Sequence, residues 1–65
     1  MFSPGDFIVE AGMAREASQN FGVVVGLDTA ITGAIILEVQ FPTERLYTFA
    51  SHCQPYREWL DENGF

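Results

Sequence analysis

Residues 21–27 carry the strongest β-strand pattern in the chain, a run of apolar side chains with a glycine near each end. Its three consecutive valines are β-branched and favour an extended backbone. Gly22 and Gly26 fall on one face of this strand, where they suit a bulge, a sharp bend or a close backbone approach. Strong bending is what a short sheet needs in order to close into a barrel. The opposite face is predicted to be continuously apolar and consists of Phe21, Val23, Val25 and Leu27.

Three further segments have the composition or the period of strands. Residues 7–10 are β-prone, and residues 34–41 alternate between an apolar face and a wetter one. Residues 46–50 follow after a short polar connection, so these last two segments predict a β-hairpin. Residues 11–20 are small and polar and predict a long loop, and residues 28–33 predict a connecting loop. The phenylalanines predicted to lie in the core are Phe21, Phe41 and Phe49.

The pattern changes at the C-terminal end, where a short amphipathic helix is predicted. Pro55 suits the first helical position, and Gly64 stands where a helix would end. Tyr56, Trp59 and Leu60 have the i, i+3, i+4 spacing of one helical face. Such a short helix must be held by packing, which we expect Trp59 to provide.

A length of 65 residues allows one small domain. Hydrophobic residues make up 48% of the chain, with six Phe, two Tyr and one Trp, which favours a packed domain over disorder. The predicted fold class is all-β: a small five-stranded barrel over residues 1–55. Residues 56–65 are expected to form a helical extension packed on that barrel.

Four segments together resemble a Src-homology-3-like small barrel, and more narrowly the KOW-type or Tudor-type domains of small bacteriophage and bacterial proteins. They are GDFI at 5–8, FGVV at 21–24, LEVQF at 37–41 and SHCQP at 51–55. The resemblance covers residues 4–55 and rests on structural motifs, so it implies a fold and a binding role without implying a ligand. Cys53 departs from the pattern by standing where such domains usually have leucine, and residues 56–65 extend beyond their usual end.

The charge balance argues against nucleic acid as a partner. Nine acidic residues against three arginines give a formal net charge of −6, and the chain has no lysine. Binding to a phosphate backbone depends on clustered Lys and Arg side chains. The longest apolar runs are shorter than the roughly 18 residues of a membrane span. Residues 1–6 lack a basic segment, so we expect a cytoplasmic protein with no membrane partner.

The candidate reactive groups point away from catalysis. Cys53 is the only cysteine, which excludes an intramolecular disulfide. Neighbouring residues on a strand face opposite ways, so His52 and Cys53 do not form a catalytic pair, and the chain has no second histidine. We therefore predict a packed structural cysteine, a solvated histidine and a protein that is not an enzyme.

The acids near the C-terminus share one helical face. Glu58, Asp61 and Glu62 have i, i+3, i+4 spacing, but no Asp-rich loop with a glycine turn accompanies them, as a calcium site would require. We expect no metal and no cofactor. These acids are predicted to form either a solvated face or a contact surface for a basic partner.

Three aromatic residues with polar tips remain as candidate anchors for a partner. Tyr47, Tyr56 and Trp59 could line an exposed groove, as in the binding surfaces of many small barrels. In Tudor-like domains such residues form cages for methylated cations. The alternative is that Tyr56 and Trp59 only dock the C-terminal segment onto the barrel.

These observations predict a non-enzymatic protein-interaction module, for example a phage-encoded accessory or host-modulating factor in the host cytoplasm. The alternative is an acidic nucleic-acid mimic that blocks a DNA- or RNA-binding protein. A homodimer is a further possibility, because the isoleucines at 31, 35 and 36 would leave an apolar edge or face uncovered. The predicted partner-binding residues are Tyr47, Tyr56, Trp59, Glu58, Asp61 and Glu62.

Overall fold

The computed structural model describes residues 2–11 and 20–63, and these residues are mostly β. The elements are β1 (Phe7–Glu10), β2 (Phe21–Thr29), β3 (Ile35–Gln40), β4 (Arg45–Phe49), a 3-10 turn (Ala50–His52), β5 (Cys53–Pro55) and α1 (Tyr56–Asn63). The predicted five strands and short C-terminal helix are confirmed. Closure into a barrel and the Src-homology-3-like family stay predictions. The loop predicted at 11–20 lies outside the described residues, apart from its two ends, and so does the helix end predicted at Gly64.

The strands form one open antiparallel sheet in the order β4-β3-β2-β1-β5. β3 and β4 are neighbours in the chain and in the sheet, with pairing from Ile36↔Phe49 to Gln40↔Arg45. This pairing confirms the predicted hairpin. β5 lies at the other edge, where it pairs with β1 and leads directly into α1.

The hairpin of β2 and β3 is longer than predicted. Pairing continues to Thr29↔Ile35, which takes β2 two residues into the predicted connecting loop. The turn closes through the Ala30 N–H, which donates to the Ala34 carbonyl at 2.8 Å. Gly33 has φ +89°, a left-handed conformation that other residues rarely adopt, so this turn depends on glycine.

The prediction that the odd-numbered positions of residues 21–27 share one face, opposite Gly22 and Gly26, is wrong. Val24 lies in the core and is 1% exposed. Gly22 lies on the same face, since a Cβ added to it would collide with the side chain of the core residue Val39. A register shift between Val24 and Gly26 reverses the alternation, so Leu27 returns to this inner face. Periodicity alone did not indicate the buried face because both faces of β2 carry apolar residues. The outer face carries Phe21, Val23 and Gly26.

The core lies on the inner face of the sheet. Phe41 belongs to it, as predicted, and is 1% exposed. Phe49 does not, because its register opposite Ile36 puts it on the outer face, where it is 44% exposed. Phe21 is half-buried on the outer face, so its predicted core position is also wrong. The core residues are Ile8, Val24, Leu37, Val39 and Phe41.

Candidate functional site

Helix α1 is held to the sheet by three aromatic rings. The ring of Phe21 meets Tyr56 edge-on at 5.3 Å and Trp59 edge-on at 5.0 Å. Tyr56 and Trp59 are themselves stacked, with 6.2 Å between centroids and 16° between planes. Trp59 therefore packs between helix and sheet. Among the described residues no helix, α1 included, is long and apolar enough to span a membrane.

The other end of the outer face is left uncovered. Phe7 is 66% exposed although it lies at the start of a paired strand. It stands opposite Val23 on β2, and Val23 stands opposite Gln40 on β3, so these three residues form a row across the sheet. Val9, two residues further along β1, is only 7% exposed. The outer face is thus buried near Val9 and exposed to solvent at Phe7.

Three adjoining depressions of about 450, 390 and 420 Å³ follow this row, and Phe7 lines all of them. Adjacent strands are roughly 4.8 Å apart, so a surface crossing from β5 to β3 is about 15 Å long. That length fits roughly four or five residues of an extended chain. We call this surface the aromatic groove; its apolar lining consists of Phe2, Phe7, Ile8, Phe21, Val23, Phe41, Pro42, Pro55 and Tyr56.

Polar groups stand at the two ends of the aromatic groove. Asp6 and Arg57 line the end beside α1, and Gln40 lines the other end. The Asp6 carboxylate accepts the Ser3 N–H at 2.8 Å. The Gln40 amide donates to the Phe41 carbonyl at 2.8 Å. Asp6 and Gln40 are therefore held in place by local hydrogen bonds, while the middle of the groove is apolar.

The predicted acidic residues lie on α1 and are exposed. Glu58 accepts a hydrogen bond from the Gln54 amide at 3.4 Å, and Asp61 and Glu62 extend along the helix away from its first turn. Within the residues that the structure describes, no group of three or more His, Cys, Asp or Glu side chains is placed to hold a metal ion. These acids form a charged surface on α1, and none of them lines the aromatic groove.

The structure does not bring Tyr47 together with the other two predicted anchors. Tyr47 is 69% exposed on β4, at the opposite edge of the sheet order from β5. It lines a separate depression of about 300 Å³, with Phe49 and Glu10 among the other residues of its wall. Tyr56, by contrast, lines the aromatic groove. The predicted anchors therefore belong to two different surfaces.

Cys53 packs against the core, as predicted. Burial, and secondarily the negative charge of Glu10, raise the pKa of the Cys53 thiol from its ordinary 9.0 to about 11, and a hydrogen bond with Thr48 opposes this rise. The thiol lies 3.5 Å from the Phe49 carbonyl, to which it donates. His52 is exposed, with its ring edge-on to Phe49 at 5.7 Å. A thiol that stays protonated at neutral pH is a poor nucleophile.

Sequence reasoning missed Phe7 as a surface residue and Phe21 as the residue on which the helix docks. The signal was present in the apolar character of both faces of residues 21–27, which implies that something covers each face. Comparison with protein-family models, with curated proteins and with solved structures gave no match for this chain.

Proposed function

We propose that this protein is a non-enzymatic protein-interaction module that binds a short, extended, apolar segment of a partner protein in the aromatic groove. One observation carries the proposal. Phe7 keeps 66% of its surface exposed in a strand position where it lines three adjoining depressions. Exposed aromatic residues in a concave apolar surface are typical of interaction sites.

The energetics favour an occupant that covers Phe7. Burying a phenylalanine side chain fully is worth roughly 1.5–3 kcal/mol. Tyr56, 36% exposed and already packed against Phe21, offers a second ring beside it without further ordering. A preorganised wall loses little side-chain entropy on binding. Phe7 and Tyr56 are therefore the expected anchors, and Trp59 acts by positioning the helix.

Charge defines the rest of the partner. The chain has a net charge of −6, and Glu58, Asp61 and Glu62 are exposed on the helix beside the groove. Basic residues flanking the apolar segment would be attracted by these acids and would associate faster. The resemblance to small phage and bacterial domains supports an accessory, host-modulating role in the cytoplasm.

The test is a titration of isotope-labelled protein, followed by NMR, with short peptides that have an apolar centre. One set carries flanking arginines and a matched set carries flanking glutamates. We expect the arginine set to bind and to shift the amide signals of Phe7, Val23 and Tyr56. Phe7→Ala is expected to weaken binding about tenfold or more, as for an interface hot spot.

Tyr47→Ala is the matched control, because Tyr47 is an equally exposed aromatic residue on the other surface. It is expected to change binding less than twofold. Shifts confined to the Tyr47 surface, or no binding by either peptide set, would contradict the proposal. Binding only to nucleic-acid-binding proteins, with no effect of Phe7→Ala, would support the nucleic-acid mimic instead.

A further inference from the structure

One stretch of β2 has a neighbouring strand on only one side. β1 pairs with β2 as far as Phe7↔Val23, and the residues before β1 exchange their last backbone hydrogen bonds with Val24. From Val25 to Thr29, β3 is the only strand that pairs with β2 among the described residues. Within the described residues, this half of the hairpin therefore presents a free edge on the side away from β3.

The backbone groups of this free edge can be assigned. In an antiparallel ladder, alternate residues direct both N–H and C=O to the same neighbour. Ala30 donates to Ala34 across the hairpin, so Asp28 is directed toward β3, and Leu27 and Thr29 are directed away from it. Consistent with this, the Thr29 N–H donates to the Asp28 carboxylate at 2.7 Å rather than to another strand.

Two large apolar side chains at this edge are partly exposed. Leu27 is 45% exposed and Ile35, on the adjacent strand, is 43% exposed. Both stand on the inner face of the sheet, outside the cluster of core residues. Asp28 is the only charged residue between positions 25 and 37. Natural edge strands are commonly protected by lysine or proline, and this edge has neither.

We propose that a second copy of this chain pairs antiparallel with the Val25–Thr29 edge, about a two-fold axis that passes through Leu27. Leu27 then faces Leu27 of the second copy, and the two residues exchange backbone hydrogen bonds. Asp28 faces Gly26 of the second copy, so no two carboxylates stand opposite one another. This self-complementarity is the argument for a second copy over an unrelated strand.

The negative charge of the chain makes this association dependent on ionic strength. Two copies of net charge −6 repel each other, and Asp28 is the one charged residue that this edge brings to the contact. Salt screens such repulsion, so the association is expected to strengthen as ionic strength rises. Asp28 opposes pairing because it adds a negative charge to each copy, and Asp28→Asn removes that charge while keeping a side-chain oxygen that can accept the Thr29 N–H. Asp28→Asn is therefore expected to strengthen the dimer several-fold.

Cysteine cross-linking tests the register directly, in a chain that carries Cys53→Ala. With Leu27→Cys, the two introduced thiols lie on the axis, where directly paired residues have Cα atoms about 5.5 Å apart, a separation that a disulfide spans. With Thr29→Cys, the two thiols are offset by about 13 Å along the strands and cannot join. We expect a covalent dimer from Leu27→Cys and none from Thr29→Cys.

Equal cross-linking of the two variants would indicate random collision and overturn the proposal. Absence of a covalent dimer from a folded Leu27→Cys variant would also overturn it. Sedimentation of the chain without introduced cysteines provides a second measurement. The fraction of chains in the dimer should increase with salt concentration and in the Asp28→Asn variant. It should be unchanged in the Phe7→Ala variant. A monomer under all these conditions contradicts the inference.

Discussion

The ring of Phe21 on β2 meets the indole of Trp59 on α1 edge-on, with 5.0 Å between centroids and 83° between planes. This contact joins the only described α-helix to the outer face of the sheet, and it explains why Phe21 lies outside the core. It also ends the covered part of that face, so that Phe7 on the neighbouring strand is exposed. The packing of α1 against Phe21 therefore accounts both for the position of the helix and for the extent of the aromatic groove.

Trp59→Ala is expected to release α1 while the sheet persists. The edge-on aromatic contact contributes about 0.5–1.5 kcal/mol beyond the area it buries, so we expect a total loss of roughly 1–3 kcal/mol of unfolding free energy. Far-UV circular dichroism should show less helix, and urea denaturation should show the loss of stability. Arg57→Ala, an exposed change on the same helix, is the control and should stay within about 0.5 kcal/mol of the parent chain. An unchanged helix signal in Trp59→Ala would refute the anchoring role.

Gly22→Ala is expected to destabilise the protein by roughly 1–3 kcal/mol, the usual cost of overpacking. The added methyl group would collide with the Val39 side chain inside the core. Gly26→Ala is the matched control, because its Cβ would meet only the Glu38 side chain, the flexible carboxylate at 3.2 Å and the Cβ at 3.7 Å. Urea denaturation of both variants measures the difference. Equal stabilities would mean that Gly22 does not face the core.

Phe7 and Ile8 are adjacent in the chain and should respond oppositely to truncation. Ile8 is fully buried, so Ile8→Ala is expected to cost about 2–5 kcal/mol of unfolding free energy. Phe7→Ala should stay within about 0.5 kcal/mol of the parent, because Phe7 is mostly exposed and makes its contribution on binding. Thermal and urea denaturation test both. A large loss from Phe7→Ala would assign that ring to stability rather than to recognition.

Stability should fall at alkaline pH in a way that depends on Cys53. The folded thiol has a pKa of about 11 against an ordinary 9.0, so the unfolded chain loses its proton first as pH rises. Ionisation then favours the unfolded state, and stability decreases between about pH 9 and about pH 11. Cys53→Ala should lack this component. Melting temperatures of both chains across that pH range give the comparison, and parallel curves would contradict the raised pKa.

The same thiol should react slowly while the protein is folded. Below pH 9 the thiolate is scarce, since burial and the charge of Glu10 both disfavour it. Glu10→Gln removes that charge, so it is expected to lower the pKa and to speed alkylation of Cys53 at a fixed pH near 9. Rates of iodoacetamide labelling measure this effect, with circular dichroism to check folding. A slower reaction in Glu10→Gln would contradict the electrostatic part of the argument.

The elements whose patterns are local were predictable from the amino-acid sequence. β1, the β3–β4 hairpin and the helix from Tyr56 follow from strand composition, from the period of two and from i, i+3, i+4 spacing. The burial of Phe41 and the packed state of Cys53 were predictable for the same reason. Which face of β2 lies in the core was not predictable, because Phe21 and Val24 are both apolar. Phe21 packs against α1, whereas Val24 packs in the core. The aromatic groove likewise depends on register across strands, since nothing local places Phe7 beside Val23 and Gln40. Local periodicity determines whether a segment forms a helix or a strand, whereas the burial of each of its faces depends on which other elements pack against it.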